Sequence, residues 1–333
     1  MGQKLGIIGL GHVGNHVFTQ AMNTEMFSDI VVIDVCKELA EGQMYDQVHA
    51  TGLYGQNNIN VIANDYSALS DADVIIISAT HVYENGKVPA DRQELLKDNV
   101  SIFKEITESI MKYTKDAYLI WISNPVDTAV YLCSEVYGYP SEKVIGTGTL
   151  LDSSRLKYIL AKRYNVSPSS VNAYMLGEHG YTSFACLSHT SIVGIAYEEL
   201  YKYFPDVATL SLEKITKEVV DAAYIVFNKK AGVTETAIGQ VAIRLARAIL
   251  LDEKAVLPVS SVQSAATYGS NEKLAMSLPS IVGKDGVEKV LNISISEEEK
   301  EYMKNTINEI QKSIKLGKEW SSLNIPLDVI KSE

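Results

Sequence analysis

Through the first 150 residues, short runs of aliphatic and β-branched residues recur at 4–10, 30–35, 60–63, 73–79, 117–123 and 143–146. Longer segments with helical spacing lie between most of them, notably 13–26, 37–49, 92–113 and 126–137. The runs are continuous rather than alternating, as in Val74-Ile75-Ile76-Ile77. A strand with one wet face alternates apolar and polar residues, so an unbroken run implies burial on both faces, under helices on each side of a parallel sheet. Six strands so connected predict an α/β chain with a doubly wound parallel sheet.

After about residue 150 the pattern changes to α+β. Helices are expected at 151–164, 211–228, 234–251 and 297–316, strands at 171–176 and 184–187, and a strand-rich section at 255–293. The run Glu297-Glu298-Glu299-Lys300-Glu301 reads as the acidic first turn of the last helix, favoured by its dipole. A length of 333 residues is more than one ordinary core needs. The change of pattern divides the chain into 1–147, the doubly wound unit, and 148–333.

Charge narrows the class of partner. The formal net charge of −11 disfavours nucleic acid or an anionic membrane as the main partner. An acidic protein acting on an anionic substrate must concentrate a few arginines locally, so individual arginines are worth following. Cys36, Cys133 and Cys186 are far apart and odd in number, with neither disulfide nor metal-ligand spacing. They are expected to be buried, reduced thiols in a cytoplasmic protein. The apolar runs are strand-length, and no secretory leader or membrane span is read.

Gly9-Leu10-Gly11-His12-Val13-Gly14 follows the first strand and opens the first helix. That context gives the glycines work. Gly9 permits a tight turn, Gly11 lets backbone approach a pyrophosphate, and Gly14 lets the helix pack closely on the strand. Asp34 ends the second strand, 20 residues beyond Gly14, where its carboxylate accepts hydrogen bonds from a ribose diol and repels a 2′-phosphate. NAD is therefore expected rather than NADP.

Ligands bind beyond the carboxyl ends of parallel strands, which draws attention to the polar residues there. Asn124 lies at the end of the fifth run, in Ser123-Asn124-Pro125-Val126-Asp127, and Arg92 starts a helix after the segment 81–91. Further on, Asp152-Ser153-Ser154-Arg155 and Gly177-Glu178-His179-Gly180 supply a carboxylate, a guanidinium and an imidazole. An imidazole gives and takes a proton near neutrality, a carboxylate fixes its tautomer, and an Arg grips a substrate carboxylate through two parallel bonds. Each residue alone has a plainer reading, as a core histidine, a solvated arginine or an Asn-Pro turn.

Ser123–Asp127, Gly146-Thr147-Gly148-Thr149 running into Leu151–Arg155, and Leu176–Gly180 occur in the order and at the spacings of the lactate/malate dehydrogenase family. Gly232-Val233-Thr234 with Ala237-Ile238-Gly239 also resembles that family's later pocket segment. The resemblance covers essentially the whole chain. It implies an NAD-dependent oxidoreductase, a homo-oligomer (dimer or tetramer), that interconverts a small 2-oxo acid and its L-2-hydroxy acid. It implies His179 as acid/base, Asp152 as the carboxylate that orients it, Arg155 as the clamp on the substrate carboxylate and Arg92 as the group that polarises the carbonyl. Asn124 would touch substrate oxygen and nicotinamide, and Thr234 would line the pocket. Val13, Ser78, Ala79, Ile122 and Thr147 fall at family positions near the cofactor, beside Gly9, Gly11, Gly14 and Asp34.

Malate dehydrogenases of this family carry a second loop arginine for the extra carboxylate, but residues 81–91 contain none, and the nearest cation is Lys87. Gly86 stands where lactate enzymes present Gln, on a segment a few residues longer. Pyruvate, and a larger aliphatic acid as in the L-2-hydroxyisocaproate dehydrogenases, are the substrates expected. Lys157 and Asn172 replace the Arg and His of the fructose 1,6-bisphosphate-activated bacterial enzymes, so no such activation is expected. A non-catalytic dinucleotide sensor should have lost the acid/base pair or the arginines, and an NAD-dependent glycosidase needs a Cys/His metal cluster. Neither fits the residues present.

Overall fold

The computed structural model describes residues 2–53, 58–83, 92–230 and 234–323, without the side chains of Arg92 and Gln93. Six strands, β1 (Gln3–Ile8), β2 (Phe27–Ile33), β3 (Asn60–Ala63), β4 (Val74–Ile77), β5 (Tyr118–Trp121) and β6 (Val144–Gly146), pair in parallel in the order 3-2-1-4-5-6. Helices α1 (His12–Met22), α2 (Lys37–His49), α3 (Arg92–Met111) and α4 (Val126–Tyr131, continued by a π turn at Leu132–Val136) lie between the strands. The order reverses between β1 and β4, which opens a crevice beyond their carboxyl ends.

Burial on both faces follows from the apolar runs. In β4, Ile75 and Ile77 join Phe103 of α3 and Trp121 of β5 in one core. Val74 and Ile76 join Val17 and Phe18 of α1 in the other. Each buried side chain of this size contributes roughly 1.5–3 kcal/mol.

The second half begins with α5 (Leu150–Tyr164). Five two-residue strands follow: β7 (Val171–Asn172), β8 (Met175–Leu176), β9 (Phe184–Ala185), β10 (Ser191–Ile192) and β11 (Ile195–Ala196). Residues 171–176 are thus not the single strand expected, because their two ends pair with different partners, β7 with β10 and β8 with β9. The β10–β11 hairpin was not expected. Its turn places Val193 and Gly194 at φ 52° and 82°, conformations a valine rarely adopts.

Helices α6 (Leu212–Lys230) and α7 (Thr236–Leu250) precede β12 (Ala255–Gln263), β13 (Leu274–Gly283) and β14 (Gly286–Val290), and α8 (Glu297–Ser322) closes the described chain. The strand-rich section does not form a sheet of its own. β12 pairs antiparallel with β6 at Ser260 and Gly146, and β13 and β14 extend the same nine-stranded sheet. Gly239 of α7 packs against the backbone of α1, with space for a Cβ only 3.1 Å from His16. α8 starts with a capping box, Ser296 bonded to the Glu299 N–H and Glu299 to the Ser296 N–H, so its acidic run does more than face the dipole.

The expectation of three buried thiols holds for Cys133 and Cys186 and fails at Cys36. Burial pushes the first two up to about 12. Cys36 is exposed because it lies where the chain leaves β2 and turns into α2, beyond the cover of either core. No described helix is long and apolar enough to cross a membrane.

Candidate active site

The crevice beyond β1, β2, β4, β5 and β6 collects the predicted cofactor residues. Gly9 leaves β1 at φ 93°, and a Cβ there would come within 2.5 Å of the Ala79 backbone. A Cβ on Gly14 would lie 1.7 Å from the Gly9 carbonyl oxygen, so only glycine lets α1 sit this close to the turn. Gly11 is the opposite case. Nothing among the described residues lies within 4 Å of its would-be Cβ, and no described side chain caps the helix start there. Unsatisfied N–H groups at the positive end of α1 beside open space suit a pyrophosphate.

Asp34 follows β2 and is tied to this turn by its own backbone partners. Oδ2 accepts from the Leu10 N–H at 2.6 Å and Oδ1 from the Cys36 N–H at 2.9 Å. The Ser78 hydroxyl donates to the Gly9 carbonyl at 2.9 Å, and the Ser123 hydroxyl to the Ala79 carbonyl at 2.6 Å. Val13 is half-buried on α1, Ile122 is buried at the end of β5, and the Thr147 N–H donates to the Trp121 carbonyl at 2.9 Å. These contacts brace the edge of the crevice from five strands.

The acid/base trio converges although its members lie up to 27 residues apart. The Asp152 carboxylate, in the first turn of α5, takes His179 Nδ1 at 2.7 Å on Oδ2 and Arg155 Nη1 at 2.7 Å on Oδ1. Burial by itself would push Asp152 up, but the His179 ring and the Arg155 guanidinium outweigh it and hold the carboxyl at about 2. The acceptor is therefore ionised throughout the neutral range. Arg155 Nη2 reaches the Thr234 hydroxyl at 3.4 Å, which places Thr234 beside the same guanidinium. Asn124 lies beyond β5, and its Oδ1 is buried with no hydrogen-bond donor among the described residues. An orphaned acceptor in a crevice is where a ligand amide or hydroxyl would bind.

Arg92 begins α3, but its side chain lies outside the description, as do Gly86, Lys87, Gly232 and Val233. Lys157 lies on α5 and Asn172 in β7, and the Lys157 ammonium is 5.9 Å from the Tyr174 ring. Among the described residues no group of His, Cys, Asp and Glu could hold a metal ion.

Two buried groups were given no role from sequence. Asp127 accepts the His179 backbone N–H at 2.7 Å and the Ser260 hydroxyl at 2.5 Å. Burial raises it to about 6, against the opposing pull of Ser260 and His179. Asn99 is fully buried on α3, accepts from the His81 N–H at 2.7 Å and donates to the Asn124 carbonyl at 2.8 Å. Asp127 closes the segment Ser123–Asp127, so the sequence carries a signal for it. Asn99 had none, because nothing local marks an Asn whose partners are 18 and 25 residues away.

The lactate/malate dehydrogenase NAD binding domain matches residues 3–146, and the lactate/malate dehydrogenase alpha/beta C-terminal domain matches residues 149–321. The chain is 37% identical over 313 residues to L-lactate dehydrogenase 2 of Clostridium acetobutylicum, covering 94% of this chain and 96% of that one. It superposes with TM-score 0.88 on the Cryptosporidium parvum lactate dehydrogenase complexed with lactic acid and nicotinamide adenine dinucleotide, at 30% identity and 98% and 99% coverage. The malate dehydrogenase of the same organism gives the same TM-score, 0.88, at 28% identity and 96% and 100% coverage. The backbone alone therefore does not separate the two substrates.

Proposed function

The chain belongs to the lactate/malate dehydrogenase family, and on that premise we propose that it is an NAD-dependent L-2-hydroxy-acid dehydrogenase of the lactate type. The observation that carries the proposal is the Asp152 carboxylate, which holds His179 Nδ1 and Arg155 Nη1 at 2.7 Å each. This one group orients a proton carrier and anchors a carboxylate clamp. The open turn at Gly11, Asp34 and the orphaned Asn124 Oδ1 fit a dinucleotide lying across the crevice. Residues 1–147 would hold the cofactor and residues 148–333 most of the substrate.

When bound, the reduced nicotinamide supplies the hydride for the keto carbon. Arg155 binds the carboxylate of the 2-oxo acid and fixes which carbon faces the cofactor. Asp152 occupies His179 Nδ1, so the proton passes from Nε2 to the carbonyl oxygen as that oxygen gains charge. Asp152, ionised beside the ring, stabilises the imidazolium before the transfer. Arg92 stabilises the developing oxyanion, and the Asn124 carboxamide aligns the reacting ends. In the oxidative direction His179 takes the hydroxyl proton.

The absence of an arginine from residues 81–91 and the naming of curated relatives as L-lactate dehydrogenases support pyruvate over oxaloacetate. Gly86 in place of a longer side chain favours a roomier pocket, and with it 2-oxoisocaproate as the second reading. NADH oxidation with pyruvate, 2-oxoisocaproate, phenylpyruvate and oxaloacetate under matched conditions tests this. Pyruvate or 2-oxoisocaproate should give the highest kcat/KM, and oxaloacetate in first place overturns the assignment.

A further inference from the structure

Every backbone N–H of the segment Gly177 to His179 is held by a different element. Gly177 exchanges N–H and C=O with Ser277 of β13 at 3.0 and 2.9 Å. The Glu178 N–H donates to the Thr306 hydroxyl of α8 at 2.7 Å. The His179 N–H donates to Asp127 of α4 at 2.7 Å. Asp127 is the one ionisable acceptor of the three, is 4% exposed, and has its other oxygen bonded by the Ser260 hydroxyl at 2.5 Å. Irregular backbone in an interior needs acceptors, and a neutral hydroxyl serves at the neighbouring residue. At His179 the acceptor is instead a carboxylate, whose charge makes the bond stronger at the same 2.7 Å.

We infer that Asp127 is a positioning residue for proton transfer, which fixes the backbone of His179 while Asp152 fixes its ring. Asp127 comes from the segment that also carries Asn124, three residues earlier. Asp152 and His179 come from the second half of the chain. The proton carrier is thereby referenced to both sides of the crevice, and its distance from a substrate held by Arg155 and Asn124 is set by two carboxylates at once. Ser260 orients the Asp127 carboxylate from β12, the strand that joins the two halves in one sheet. This inference rests on the reading of His179 as the proton carrier. It adds that the imidazole works only when its main chain is anchored, because small displacements of a reacting group cost about 10²-fold in rate.

The test compares Asp127→Ala, Asp127→Asn and Ser260→Ala in 2-oxo acid reduction, with NADH affinity measured separately by fluorescence. Asp127→Ala should lower kcat roughly 10- to 100-fold while NADH affinity stays within about twofold. Hydride transfer should become rate-limiting, so a primary isotope effect with NADH deuterated at the transferred position should rise. Asp127→Asn keeps an acceptor for the His179 N–H and should recover most of the turnover. Folded Asp127→Ala with kcat/KM and isotope effect like the parent overturns the inference. So does a loss of NADH affinity that accounts for the whole defect. If Asp127→Ala does not fold, Ser260→Ala decides: a several-fold lower kcat with a raised isotope effect supports the inference, and parental values overturn it. His179→Asn separates the two claims. If it turns over, the reading of His179 fails. If it is inactive beside an undisturbed Asp127→Ala, only the positioning role fails.

Discussion

Replacing Asp152 by Asn keeps the shape of the side chain and removes the charge that His179 and Arg155 share. The carboxyl is held at about 2 in the folded protein, against an ordinary 3.8. The difference, nearly two pKa units at about 1.4 kcal/mol each, corresponds to roughly 2–3 kcal/mol of stability at neutral pH. The side chain is only 10% exposed, so solvent screening removes little of it. Because the folded value is depressed, the contribution is fully present above about pH 4 and is lost as the pH falls through about 2. Urea unfolding should therefore show Asp152→Asn less stable than the parent at pH 5, with the gap narrowing below pH 4. In the same variant an amide N–H competes for the place of an acceptor, and the tautomer of His179 is no longer fixed. Turnover should drop by about 10²- to 10⁴-fold, the usual worth of a positioned acid/base. A gap that stays constant from pH 5 to 3, or kcat within threefold of the parent, would refute the shared-carboxylate reasoning.

Asp127→Asn should show the reverse pH dependence. The folded carboxyl is raised to about 6, so the parent loses about 3 kcal/mol relative to the variant as the pH rises from 4 through 6, and equal differences at pH 4.5 and 7.5 would count against it. Arg155→Lys trades a planar fork for a point charge, and KM for the 2-oxo acid should rise roughly 10- to 100-fold at unchanged NADH affinity. A parallel loss of NADH affinity would place Arg155 elsewhere. Gly14→Ala puts a Cβ 1.7 Å from the Gly9 carbonyl oxygen. It should cost about 1–3 kcal/mol in stability and weaken NADH binding at least tenfold by fluorescence titration; normal binding would show that the turn tolerates the shift.

The doubly wound sheet was legible because its cause is local. Continuous apolar runs at 74–77 and 118–122 already imply two covered faces, and the cores on either side of β4 and β5 bear that out. The antiparallel extension was not legible. Residues 255–293 read as strand-rich, but the pairing of Ser260 with Gly146 depends on how α5 to α7 fold back across the sheet. Residues 171–176 misled for a related reason, since β propensity does not say which partner each end will meet.

In the site the division is similar. Spacing and residue type alone picked out Gly9, Gly11, Gly14 and Asp34, because a turn, a close approach and a strand end are features of adjacent residues. Composition and motif order pointed to Asp152, Arg155 and His179, and the resemblance assigned their roles. Only the tertiary structure put one carboxylate between the imidazole and the guanidinium, and a second, Asp127, beneath the His179 main chain. Those bonds join residues 27 and 52 positions apart. Contacts of that kind are set by the packing of α4, α5 and β12 together, and no local pattern encodes them.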